Sequence, residues 1–105
     1  MTSNPFEQFM QECPTIAGAY GALVQAQAAT DALDPLTKQL INIAIQTAQK
    51  NPVGVRHHAA MARDVGAGRE AVIAAVVMNL HLSGLGPVLL SLPAAIEGWE
   101  GTGPC

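Results

Sequence analysis

The sequence contains few charged and few aromatic residues. Of its 105 residues, 12% are charged and 4% are aromatic, whereas 50% are hydrophobic. Ordinary globular domains have roughly 25% charged residues. Intrinsic disorder is excluded, because it requires low hydrophobicity together with high net charge. The net charge of −3 and the shortage of aromatic rings argue against a nucleic-acid-binding protein.

Cysteine is also scarce. Cys13 and Cys105 lie near opposite ends of the chain, and no Cys-x-x-Cys pair exists. No spacing of cysteine and histidine suits a zinc site, so we expect no metal and no cofactor. A single disulfide between the two ends stays open as an alternative. The N-terminus lacks the basic and apolar segments of a signal peptide, so we expect a cytoplasmic protein with free thiols.

The chain has too few charged residues to cover the surface of a small monomer. Three kinds of protein would explain this composition: an oligomer, a membrane protein or an aggregation-prone fragment. No residue from 71 to 96 carries a formal charge, and that stretch is long enough to span a bilayer. Gly84-Leu-Gly-Pro87 interrupts it with a strong turn signal. We therefore favour two packed helices, buried largely between subunits of a homo-oligomer, over a membrane span.

Helical periodicity runs through the remaining sequence, and no strand signal is present. Helices are predicted over residues 5–11, 14–29, 35–50, 53–65, 69–83 and 87–99, with Pro93 as a candidate interruption of the last one. The prediction is an all-α bundle of five to six helices. It forms one domain, 1–105, with leading helices at about 5–29 and a frayed tail at 100–105.

Candidate chemistry is concentrated in the helix predicted over 53–65, which carries Arg56, His57 and His58. Histidine exchanges protons near neutral pH and is the commonest general acid or base. The alternative is that one histidine is a packing residue and the other is exposed. All five cations lie between Lys38 and Arg69, which would suit a small anion but is also typical of an ordinary solvated surface.

Residues 32–97 resemble the carboxymuconolactone decarboxylase family, which includes the AhpD-like (alkylhydroperoxidase D-like) proteins. The resemblance is carried by Leu33-Asp-Pro-Leu-Thr-Lys-Gln-Leu, by His58-Ala-Ala-Met-Ala-Arg-Asp-Val-Gly, and by Gly-x-x-Pro at 84–87. It implies an AhpD-like helical bundle that assembles as a homotrimer or homohexamer. It also implies that His58 is the residue that donates or accepts a proton.

Two departures from the family pattern bear on activity. The positions of the AhpD-like redox cysteines are Asn51 and Gly54, and the family's frequent glutamate is Gln39. Peroxide reduction needs a thiolate, so AhpD-like thiol peroxidase activity is not expected. Redox chemistry through Cys13 and Cys105 across subunits is a weak alternative.

Two functions remain in competition. The first is cofactor-free decarboxylation or proton transfer on a small carboxylated lactone, with His58 as acid or base and Arg56, His57 or Arg63 holding a carboxylate. The second is a degenerate, non-enzymatic member of the family that binds a small acid or a partner protein. Arg56 and His58 are separated by roughly 200° around a helix, so a neighbouring subunit could supply the cation instead.

Overall fold

The computed structural model describes residues 4–102, and every regular element in this range is helical. The six α-helices are α1 (Pro5–Glu12), α2 (Pro14–Ala28), α3 (Pro35–Ala48), α4 (Pro52–Asp64), α5 (Arg69–Val77) and α6 (Leu85–Glu100), and a 3₁₀ turn spans Met78–His81. The all-α prediction is thereby confirmed. The helices belong to two compact units, and the boundary between the units in the chain lies between Leu33 and Asp34.

The first unit consists of α1 and α2. Asn4 caps α1 by accepting the amide hydrogen of Phe6 at 2.8 Å. The rings of Phe6 and Phe9 lie 6.3 and 6.2 Å from that of Tyr20, which joins the two helices. Neither helix has a buried residue within the described part of this unit. The unit is therefore held by a few ring contacts and leaves most of its apolar side chains exposed.

The second unit contains α3 to α6 around one apolar core. Asp34 starts α3 by accepting the amide hydrogen of Thr37 at 2.7 Å, and Pro35 fits the first helical turn. Helix α4 packs against both α3 and α6. The core is built mainly from small and β-branched side chains: Ile43, Val55, Ala59, Ala62, Ala67, Val72, Ala75, Val76, Val88, Ala94 and Ala95. Alanine at these positions allows the helices to approach closely.

The connection between α5 and α6 differs from the sequence prediction, which continued the helix from 69 to 83. Helix α5 ends at Val77 because Asn79 is drawn toward α3, where its side-chain amide donates to the carbonyl of Ala44 at 3.1 Å. The backbone carbonyl of Asn79 then accepts the amides of three following residues, which closes the turn. Gly84 completes it with a φ of 96°, a conformation that favours glycine.

Helix α6 begins at Leu85, two residues before the predicted start, and it continues through Pro93 without a break. The uncharged segment 71–96 supplies Val72, Val76 and Val88, among others, to the core of its own unit. Its burial is thus partly within the chain, whereas burial between subunits stays a prediction. Within the described residues, no helix is both long and apolar enough to cross a membrane.

Helices α4 and α6 come close together at Gly98. A side-chain carbon at this position would collide with the backbone carbonyl of Arg56. Residue 98 therefore has room only for hydrogen, and this contact requires glycine.

We expect Gly98→Ala to lower the free energy of unfolding by about 1–3 kcal/mol, because the new methyl group forces the two backbones apart. Gly86→Ala, in the same helix, is the matched control, since a side-chain carbon there meets open space. Its stability should be unchanged or slightly higher. Urea unfolding measures both variants, and equal stability of Gly98→Ala and wild type would contradict the close approach.

Candidate functional site

His58 faces α3 and pairs with Gln39. The Nδ1 atom of His58 lies 2.9 Å from the Oε1 atom of Gln39, and both side chains are half-buried. The same oxygen accepts a longer hydrogen bond, of 3.4 Å, from the amide of Asn42. An amide oxygen only accepts, so Nδ1 of His58 must be the donor. The neutral ring consequently presents an unprotonated Nε2 atom.

The surroundings of His58 favour the neutral imidazole. Burial lowers its pKa below the ordinary value of 6.5, and the adjacent His57 opposes a second positive charge. The two imidazole centroids are 5.3 Å apart. An uncharged partner such as Gln39 does not offset this effect as a carboxylate would. His58 is therefore neutral at neutral pH and able to accept a proton.

The arginines of α4 are engaged on the side that packs against α6. Arg56 makes an ion pair with Glu97 at 3.2 Å. Arg63 pairs with Asp64 at 3.0 Å and donates to the backbone carbonyl of Trp99 at 3.3 Å. The sequence analysis assigned both arginines to substrate binding. In the structure, Arg56 binds a side chain of α6, and Arg63 binds both the backbone of α6 and the adjacent Asp64. The structure brings Gln39 and His58 together on the other side of α4.

The positions of the family's redox cysteines have a structural role in this chain. Asn51 caps α4 by accepting the amide hydrogen of Gly54 at 3.2 Å, and its own amide donates to Gln46 at 2.8 Å. A side-chain carbon at residue 54 would collide with the end of the Gln46 side chain. Both positions thus belong to a capping network at the start of α4.

The remaining candidate residues are dispersed. His57 is exposed beside His58, and Cys13 is partly buried between α1 and α2. Cys105 lies outside the described residues. Within residues 4–102, no group of three or more histidine, cysteine, aspartate or glutamate side chains is placed to hold a metal ion.

An apolar groove between α3 and α5 was missed by the sequence analysis. It encloses about 530 Å³, and its lining residues are Thr37, Leu40, Ile41, Ala44, Ala71, Ala74, Ala75, Met78 and Leu82. His58 is not among them. The sequence pattern that could have predicted the groove is the presence of apolar residues on two neighbouring stripes of α3, because packing against the core needs only one stripe.

Comparison with known proteins decides the family. Residues 14–97, most of the chain, match the carboxymuconolactone decarboxylase family. The chain belongs to this family. The match begins in α2, further toward the N-terminus than the segment 32–97 that carried the resemblance. No curated protein matches the chain.

A solved structure of the carboxymuconolactone decarboxylase family agrees with this assignment. The crystal structure of a family protein from Legionella pneumophila, in its apo form, superposes with a TM-score of 0.80 at 29% sequence identity. The similarity covers 92% of this chain and 86% of the other. The fold of this family member is therefore the carboxymuconolactone decarboxylase fold, as the resemblance implied.

In this decarboxylase-family chain, we expect the imidazole of His58 to titrate below pH 6.5 and to titrate higher in Gln39→Glu. A carboxylate facing Nδ1 would favour the imidazolium ion and raise the pKa. Gln46→Glu, on the same helix but paired with Asn51, is the control that adds the same charge elsewhere. Proton–carbon NMR of the histidine rings follows the titration, and identical midpoints for His58 in all three proteins would contradict the pairing.

The same shift has a consequence for stability. Because the folded-state pKa of His58 lies below the unfolded value, the unfolded chain binds the proton more readily. The contribution of His58 is therefore present above the unfolded pKa and is lost as the pH falls below about 6.5. Gln39→Glu should weaken or reverse this dependence, which urea unfolding between pH 5 and pH 8 measures.

Proposed function

We propose that this chain carries out cofactor-free proton transfer coupled to decarboxylation of a small carboxylated lactone, with His58 as the proton-transferring residue. The observation that carries the proposal is the 2.9 Å contact between Nδ1 of His58 and the amide oxygen of Gln39. It fixes the tautomer and leaves Nε2 for the substrate. The family assignment supports the reaction class.

The chemistry required of His58 is limited. When the bond between the substrate and its carboxylate breaks, carbon dioxide leaves and the electron pair stays on carbon, delocalised into the lactone carbonyl. A proton must then reach that carbon. Nε2 of His58 takes up a proton from solvent water and delivers it to that carbon, which returns the imidazole to its neutral form. A pKa below the ordinary value makes the imidazolium a stronger donor.

The substrate carboxylate needs a cation, and the three arginines of the described chain already have acidic partners. Arg56 pairs with Glu97, Arg63 with Asp64 and Arg69 with Glu100. His57 is the candidate within the chain, because it is exposed and adjacent to His58.

We expect His58→Ala to lose at least about 100-fold in the rate of carbon dioxide release from a carboxylated lactone, the usual size of a general acid–base contribution. His81→Ala is the control, because His81 is exposed on the 3₁₀ turn. Lactone absorbance and carbon dioxide release are followed across a panel of lactones. Equal rates for wild type and His58→Ala, or no turnover of any member, would overturn the proposal.

A second candidate is a non-enzymatic family member that binds a small acid. It is favoured by the capping role of Asn51 and Gly54 in place of redox thiols, and by the pairing of Arg56 with Glu97. The His58–Gln39 pair would then serve recognition instead of turnover.

For this candidate, we expect a small carboxylate to raise the melting temperature without being consumed, because a ligand that binds only the folded state stabilises it. At a hundred times its dissociation constant, the ligand adds about 2.7 kcal/mol. The shift should vanish in His58→Ala and persist in His81→Ala. No shift with any carboxylate, or an equal shift in both variants, would remove this candidate.

A further inference from the structure

The side-chain oxygen of Gln39 joins α3 to α4 through two hydrogen bonds. Its Oε1 atom lies 2.9 Å from Nδ1 of His58 and accepts from Nδ2 of Asn42 at 3.4 Å. All three side chains are half-buried. An amide oxygen has two lone pairs, and these two contacts use both of them. The Gln39 oxygen is therefore fully occupied by His58 and Asn42.

The orientation of the Gln39 amide decides which nitrogen of His58 carries the hydrogen. A glutamine amide can make a half turn about its last bond, which exchanges its oxygen and its NH₂ group with almost no change in shape. With the oxygen toward His58, Nδ1 donates and Nε2 is unprotonated. With the NH₂ group toward His58, Nδ1 would accept, and the hydrogen of the neutral ring would have to lie on Nε2.

Other influences on His58 do not select a tautomer. Burial and the neighbouring His57 lower the pKa of the ring, and both act on its charge. Within residues 4–102, the hydrogen bond of the His58 ring is the one to Gln39. The tautomer of His58 therefore depends on what holds the Gln39 amide in place.

Asn42 is the group that distinguishes the two orientations of the amide. It follows Gln39 by three residues on α3, so the two side chains are neighbours on one face of the helix. Its NH₂ group donates to the Gln39 oxygen in the observed orientation. In the reversed orientation two NH₂ groups would face each other, and a repulsion between hydrogens would replace the hydrogen bond.

We propose that Asn42 is a positioning residue that keeps the Gln39 oxygen toward His58 and thereby keeps Nε2 of His58 unprotonated. Its consequence for turnover rests on the proposed function, in which Nε2 takes up and delivers the proton. A histidine held in the wrong tautomer can lose several orders of magnitude in rate. The control of the tautomer itself is independent of turnover, so it can be measured in the protein without substrate.

Asn42→Asp tests the proposal, because a carboxylate accepts hydrogen bonds and does not donate them. We expect the Gln39 amide to turn its NH₂ group inward, so that one hydrogen reaches the new carboxylate and the other reaches Nδ1 of His58. The hydrogen of the neutral ring then moves from Nδ1 to Nε2. Proton–nitrogen NMR of the histidine rings distinguishes the two tautomers at about pH 8.5, where an ordinary histidine is neutral. The resonances that disappear in His58→Ala assign the ring.

Two further variants show whether the effect comes from the hydrogen bond. Asn42→Leu removes the donor without adding charge, and we expect it to give a mixture of both tautomers. Asn51→Asp is the matched control, since it adds the same charge to an asparagine that caps α4 and bonds to Gly54 instead of Gln39. It should leave the hydrogen on Nδ1 of His58. Circular dichroism confirms that each variant stays folded.

Turnover of a carboxylated lactone gives an independent readout. We expect Asn42→Asp to lower kcat at least about tenfold, because Nε2 of His58 then already carries a hydrogen. KM should change less than about twofold, since residue 42 acts through Gln39 and not on the substrate. No turnover by the wild-type protein would overturn the proposed function alone, because the NMR measurement still decides the role of Asn42.

Four results would overturn the role of Asn42. The first is a hydrogen on Nε2 of His58 in the wild-type protein, and the second is an unchanged tautomer in either Asn42 variant. The third is the same change of tautomer in Asn51→Asp, which would assign the effect to charge alone. The fourth is an inverted tautomer with an unchanged kcat, which would separate the tautomer from turnover.

Discussion

The close packing of α4 against α6 is the constraint on which the rest of the α3–α6 unit depends. Gly98 lies against the backbone of Arg56, where no side-chain carbon fits, so α4 and α6 pack backbone to backbone at this point. Once α4 is fixed in this way, Arg56 is directed to Glu97 on α6, and His58 is directed to Gln39 on α3. The separation of cation and histidine is therefore a result of helix packing.

The partner of His58 determines what the histidine can do. An amide accepts the Nδ1 hydrogen without adding charge, whereas a carboxylate would hold the ring in its protonated form. With Gln39, burial dominates and the imidazole stays neutral at neutral pH. At the positions where the resemblance places the AhpD-like redox cysteines, Asn51 and Gly54 instead form the cap of α4.

The shortage of charge coincides with a core of small side chains that leaves large apolar side chains outside it. The core of the α3–α6 unit uses mostly alanine and valine, which bury little area each, so the larger apolar residues are left outside it. Examples are Leu23 of α2 and Met78 at the groove between α3 and α5, which are 54% and 60% exposed. Burial of such residues between subunits stays a prediction from a sequence with only 12% charged residues.

Much of the fold was predictable from the sequence, because its causes are local. Asp34 and Pro35 supply the capping side chain and the first-turn proline of α3, so its start was predicted correctly. Asn51-Pro52 was interpreted as the end of the preceding helix, whereas Asn51 caps α4, which begins at Pro52, one residue before the predicted start. The end of α5 was predicted wrongly. It depends on a hydrogen bond from Asn79 to Ala44, which lies 35 residues away in the chain.

The candidate site, like the fold, was predictable from the sequence only in part. The sequence by itself determined most of the helices, the resemblance to the family and the choice of His58 as a candidate, since helical spacing and motif residues lie close together in the chain. Only the tertiary structure decided that Gln39 is the partner of His58 and that the arginines of α4 are occupied elsewhere. Those contacts depend on how helices rotate against one another, and that rotation is set by packing at residues such as Gly98, which no local pattern encodes.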